Sequence, residues 1–71
     1  MTDTKKINDV ITNSGLKKTF IAKKINLSHQ ALYNKLNGKT EFTLSEITAL
    51  CGLLNISTKK RDEIFFANAV D

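Results

Sequence analysis

The hydrogen-bonding side chains of this chain gather between Ser28 and Asn34, where Ser28, His29, Gln30, Tyr33 and Asn34 stand within one short run. Residues 29 and 33, and residues 30 and 34, are each four apart, the spacing that stacks side chains on one face of a helix. The carboxamides of Gln30 and Asn34 carry donor and acceptor in one plane, so each can bind a planar edge that offers the complement. His29 and Tyr33 add rings with polar tips, and a neutral His29 can either donate or accept. Around them lie Lys17, Lys18, Lys23, Lys24, Lys35 and Lys39, with no acid between Asp9 and Glu41. Such segregation gives the middle of the chain a positive field suited to anions. On charge alone, a solvated lysine face reads the same way. Recognition by hydrogen bonding and charge is the chemistry on offer. Catalysis is not expected, because the chain has one His, no glycine-rich phosphate loop and no triad or metal constellation.

For these groups to act together they must share the outward side of a helix. From Lys18 to Asn37 the pattern supplies one: two short helices joined by a tight turn, the second starting at Ser28. Ile21, Ala22, Ile25, Leu27, Leu32 and Leu36 mark the faces that pack the pair together, and Ala22 is small enough for a close helix crossing. Asn26 stands at the turn, and asparagine is the non-glycine residue that best tolerates positive φ. Ser28 is a good N-cap, with Leu27 and Leu32 as a hydrophobic staple that sets the entry angle of the helix. Gly38 stops it. A helix–turn–helix of this kind presents its second helix to the DNA major groove.

Three further helices would hold that pair. One runs from Thr4 to about Asn13 with Ile7, Val10 and Ile11 as its stripe; Asp3 or Thr4 caps it and Gly15 ends it. After the polar loop Lys39–Glu41, Thr43 and Glu46 form a capping box, with Phe42 and Ile47 as the staple. Leu44, Ile47, Leu50, Cys51 and Leu54 follow at helical spacing up to Asn55. Gly52 within this helix costs about 1 kcal/mol in propensity, which suggests a close contact with another helix. Ser57 or Thr58 opens a last helix reaching Ala67 or Asn68, with Ile64, Phe65 and an alanine as its apolar positions. Phe65 and Phe66 point about 100° apart, so one enters the core and the other lies near the surface.

At 71 residues the chain is expected to be a single domain, residues 1–71, with a modest core. The net charge is +4 and proline is absent, which favours helices over a turn-rich all-β fold. The lone Cys51 is expected to be a small buried residue in a reducing compartment. No segment approaches the roughly 20 apolar residues of a membrane span, and the first residues lack the apolar run of a signal peptide. A cytoplasmic location is the expectation.

Over Leu16 to Thr40 the chain resembles the Cro/CI-type (XRE-like) helix–turn–helix proteins of temperate phages and bacteria, on Leu16, Ile21, Ala22, Leu27, Ser28, Leu32, Asn37, Gly38 and Lys39. The run Glu41–Ile47 and the final Ile64-Phe65-Phe66 look most like small phage regulators of low-GC Gram-positive hosts. The chain departs from the family pattern in three places. Lys17-Lys18 replaces a common Thr-Gln, Asn26 replaces the turn glycine, and Lys35 stands where an apolar residue is usual, leaving Leu36 to take over the core role.

The resemblance implies an all-α, five-helix lambda-repressor-like domain and a DNA-binding transcriptional regulator, Cro-like and repressing, without a cofactor. It maps base reading onto Ser28, His29, Gln30, Tyr33 and Asn34. The chemistry agrees independently, since Gln and Asn can pair bidentately with adenine N6 and N7. Phosphate contact falls to Lys17, Lys18, Asn37, Lys39 and Thr40, which would fix position without reading sequence. Such regulators usually bind double-stranded operators as homodimers. Phe65, Phe66 and Val70 are the candidate dimer or partner surface. A second reading from a different class is a protein-binding modulator that docks on a partner repressor and alters its DNA binding. Single-stranded RNA binding is disfavoured, because Tyr33 lacks the row of aromatics that base stacking needs.

Overall fold

The computed structural model describes residues 1–66, which form five helices and no strand. These are α1 (Thr4–Ser14), α2 (Lys18–Lys24), α3 (His29–Leu36), α4 (Leu44–Leu54) and α5 (Thr58–Phe65). The expected continuation of the last helix to Ala67 or Asn68 lies outside the described residues. Helix α2 packs on α3 and α4, and α1 lies against α3, α4 and α5. Between them Ile7, Ile21, Leu32, Leu36, Leu50 and Ile64 are fully buried, each helix contributing at least one.

Local chemistry accounts for most of these boundaries. Asp3 accepts a hydrogen bond from the Lys6 N–H, Ser28 from Ala31, Thr43 from Glu46 and Ser57 from Lys60, so four helices carry side-chain N-caps. Thr43 and Glu46 complete the expected capping box. Helix α2 ends in a Schellman motif: the Asn26 N–H donates to the Lys23 carbonyl (3.3 Å) and the Leu27 N–H to the Ala22 carbonyl (2.8 Å). Asn26 adopts φ 63° to make it. The same motif closes α3, where Gly38 at φ 81° donates to Lys35 (3.2 Å) and the Lys39 N–H to Asn34 (2.9 Å).

The N-terminus is tied down from two sides. The Asp3 N–H donates to the Ile64 carbonyl at 2.6 Å, joining the start of α1 to α5. The Thr2 N–H and hydroxyl both donate to Glu41 Oε1. Cys51 is half-buried, and burial pushes its thiol above the ordinary value against the opposing charge of Arg61. A raised thiol keeps less of the reactive thiolate.

Three expectations need correction. Leu44, placed on the inward stripe of its helix, is 71% exposed at the first position of α4. Phe65, named as a candidate interface residue, is 2% exposed and meets Phe42 edge to face at 5.6 Å between ring centroids. It belongs to the core and cannot reach a partner. Gly52 does not mark a close contact among the described helices, since a Cβ built on it meets nothing within 4 Å among the described residues. Gly52→Ala is therefore expected to stabilise the protein by about 0.5–1 kcal/mol, read as a higher urea midpoint. A lower midpoint would mean that the position does face a neighbour.

Candidate nucleic-acid interface

Helix α3 is held by three independent anchors. Leu32 and Leu36 bury its inner face. The Asn8 side-chain amide of α1 donates to the Thr4 carbonyl (2.8 Å) and to the Leu36 carbonyl (3.1 Å), tying the last turn of α3 to α1. The third anchor is Lys35. Its ammonium donates to the Glu41 carbonyl at 2.8 Å, pairs with Glu46 Oε1 at 3.3 Å and lies 6.0 Å from the Phe42 ring centroid. The Lys35 and Glu46 side chains are only 13% and 15% exposed.

That clamp explains the departure from the apolar pattern at residue 35. The aliphatic stem packs as an apolar side chain would, and the ammonium finds acceptors in the α3–α4 loop and on α4. The same Glu46 oxygen accepts the Thr43 N–H at 2.9 Å. One carboxylate thus caps α4 and anchors α3. Lys35, grouped by sequence with the free positive charges, is spent on this internal contact.

The outward side of α3 carries the groups expected to read. His29, Gln30 and Tyr33 are exposed and Asn34 is half-buried. The Gln30 side-chain N–H donates to Asn34 Oδ1 at 3.1 Å. His29 and Tyr33 meet edge to face, with centroids 6.5 Å apart and planes at 86°. Their rings and Gln30 line an open notch of about 410 Å³. Ser28, by contrast, is committed as the N-cap, its hydroxyl accepting the Ala31 N–H at 3.0 Å. It frames the face from below.

The lysines expected on phosphate flank this face. Lys17 and Lys18 stand exposed at the start of α2; Asn37, Lys39 and Thr40 stand exposed just after α3. The Lys39 N–H bond to the Asn34 carbonyl fixes the second group beside the residues expected to read. A groove of about 440 Å³ at the α2–α3 turn, lined by Thr19, Lys23, Asn26, Ser28 and His29 among others, adds Thr19 and Lys23 to the surface. Their i, i+4 spacing on α2 was the available signal. Lys24 is occupied above the Phe20 ring, 5.6 Å from its centroid.

At the far end of α5, Phe66 is half-buried, with the Arg61 guanidinium 5.8 Å from its ring centroid. Of the candidate partner surface only this residue remains, since Phe65 is in the core and Val70 lies outside the described residues. Among the described residues no group of three or more His, Cys, Asp or Glu side chains could hold a metal ion. No helix among them is long and apolar enough to cross a membrane.

Five helices with α2 and α3 joined through a left-handed asparagine define an all-α helix–turn–helix domain. Residues 6–59 match the family model of the Cro/C1-type HTH DNA-binding domain. The match covers most of the chain, so the protein belongs to this family of DNA-binding helix–turn–helix domains. No curated protein and no solved structure gives a significant match.

Proposed function

We propose that this chain is a single-domain, sequence-specific regulator of transcription, a Cro-like repressor of a phage or prophage acting in the bacterial cytoplasm. Helix α3 enters the major groove of double-stranded DNA, and Gln30, Asn34, His29 and Tyr33 contact base edges while Ser28 sets the entry of the helix. Lys17, Lys18, Asn37, Lys39 and Thr40 hold the flanking phosphates. The observation that carries this reading is the outward row of Gln30 and Asn34 on a helix whose other sides are fixed to α1, α2 and α4. A rigid mount with outward-facing planar amides is what base-edge readout requires.

One such domain covers a half-site. Two copies pairing about a two-fold axis, with the Phe66 end of α5 as the contact, would span half-sites about 34 Å apart. Repression then follows from covering promoter DNA.

A gel-shift titration against the DNA flanking the gene tests this reading. Gln30→Ala and Asn34→Ala are each expected to lose preference for the operator over unrelated duplex by about 1–3 kcal/mol, roughly 5- to 150-fold. Salt-sensitive background binding should remain. Normal discrimination by both variants would remove α3 from the reading role.

A further inference from the structure

Glu41 is the first acid after Asp9, and it stands one residue beyond Thr40. A carboxylate beside groups that hold phosphate repels the same phosphates, so it works against DNA unless it has another task. Its contacts supply one. Glu41 Oε1 accepts the Thr2 N–H at 3.3 Å and the Thr2 hydroxyl at 3.2 Å, across 39 positions of sequence. The Glu41 backbone carbonyl accepts the Lys35 ammonium at 2.8 Å. Thr2 is placed in turn by its neighbour. The Asp3 N–H donates to the Ile64 carbonyl at 2.6 Å, and the Asp3 side chain caps α1 through the Lys6 N–H. Next to Glu41, the Phe42 ring rests on Phe65. One end of the loop 37–42 is thus fastened to α3, by the Lys39 N–H bond to the Asn34 carbonyl. The other end is fastened to Thr2, to Lys35 and to α5. Lys39 and Thr40 lie on the span between.

We infer that Glu41 is a positioning residue for phosphate contact: its carboxylate, held by Thr2, fixes Lys39 and Thr40 at the edge of the DNA-binding face. This rests on the proposal that those two residues hold phosphates. A lysine and a threonine on a loose loop would have to be ordered at the moment of binding, and that ordering subtracts from affinity. The two Thr2–Glu41 bonds order the loop beforehand. An acid that only repels and an acid that positions give opposite results when the side chain is removed. The first leaves tighter binding behind it, the second weaker.

The test uses the full chain and two probes: a duplex selected from a pool randomised over about 20 base pairs, or two helical turns, and an unrelated duplex. Glu41→Ala removes the charge and the acceptor together. It should weaken binding about fivefold, the low end of what two hydrogen bonds contribute. The loss should be equal on both duplexes, because phosphate contacts carry no sequence information. Glu41→Gln keeps an acceptor for Thr2 without the charge and should bind at least as tightly as the unaltered chain. Thr2→Val removes one of the two bonds and should weaken binding about twofold. In a chain already carrying Lys39→Gln and Thr40→Val, Glu41→Ala should cause no further loss, since the groups it places are gone. Equal or tighter binding by Glu41→Ala would overturn the inference, as would a lower urea midpoint at unchanged affinity. So would a Glu41→Gln chain as weak as Glu41→Ala, or a full fivefold loss persisting without Lys39 and Thr40. If the Lys39→Gln, Thr40→Val chain itself binds as the unaltered chain does, the phosphate assignment beneath the inference fails with it.

Discussion

Phe65→Ala is expected to cost about 3–5 kcal/mol of folding free energy. The ring is 2% exposed, packed edge to face on Phe42, and sits where α5 closes over the core. A chain of this length holds only about 4–10 kcal/mol in total, at roughly 0.05–0.15 kcal/mol per residue. Much of the protein should therefore be unfolded near physiological temperature, and a urea titration followed by far-ultraviolet circular dichroism would show it. The same variant separates two roles for the residue. A core ring lowers the unfolding midpoint; an interface ring changes the sedimenting mass at an unaltered midpoint, and that outcome would contradict the packing seen here. Phe66→Ala, which removes a half-buried ring, should cost distinctly less.

Affinity for DNA is expected to collapse with salt. If each copy neutralises about three to five phosphates, a dimer should lose roughly 10³- to 10⁵-fold between about 50 and 200 mM monovalent salt. The variants divide by what each lysine does. Lys18→Gln and Lys39→Gln should each flatten the log–log slope by about 0.9 per copy. Lys35→Gln should leave the slope unchanged while lowering stability by about 1–3 kcal/mol, because it deprives Glu46 of a charged partner in a poorly exposed place. Titrations of operator binding at several salt concentrations measure this directly. A flattened slope for Lys35→Gln would show that its ammonium leaves the clamp for a phosphate.

How much of this could be read from the sequence varies by the range of the physics involved. Caps and turns are local, and they were legible: Asn26, Ser28, Gly38 and the Thr43–Glu46 box all stand as their residue types predict. The all-α class followed from helical spacing. The errors arose where a position depends on something far along the chain. Leu44 has the right spacing for the inward stripe, but as the first residue of α4 it lies beyond the reach of the packed helices. Gly52 suggested a close approach only through its cost in helix propensity, and among the described residues nothing lies within 4 Å of a Cβ built there.

Lys35 shows the same limit from the other side. Its type contradicted the apolar pattern, yet its resolution lies six residues away at the Glu41 carbonyl and eleven away at Glu46. Only the path of the α3–α4 loop brings those acceptors back to α3. The choice between Phe65 and Phe66 likewise depended on the angle at which α5 meets Phe42, which no local pattern encodes. At the candidate interface, the spacing of Gln30 and Asn34 placed them on one face. Their mutual bond was visible only once both side chains had conformations.

The division of labour along α3 has a consequence for divergence among related chains. Positions 32, 35 and 36 hold the helix to the body, whereas 29, 30, 33 and 34 face outward, none of them fully buried. The outward four can change type with little effect on folding, since surface substitutions usually stay within about 0.5 kcal/mol. The body can therefore remain fixed while the lettering of α3 drifts, and, if α3 reads bases as proposed, chains of one architecture can come to address different operators through four substitutions on two adjacent rows.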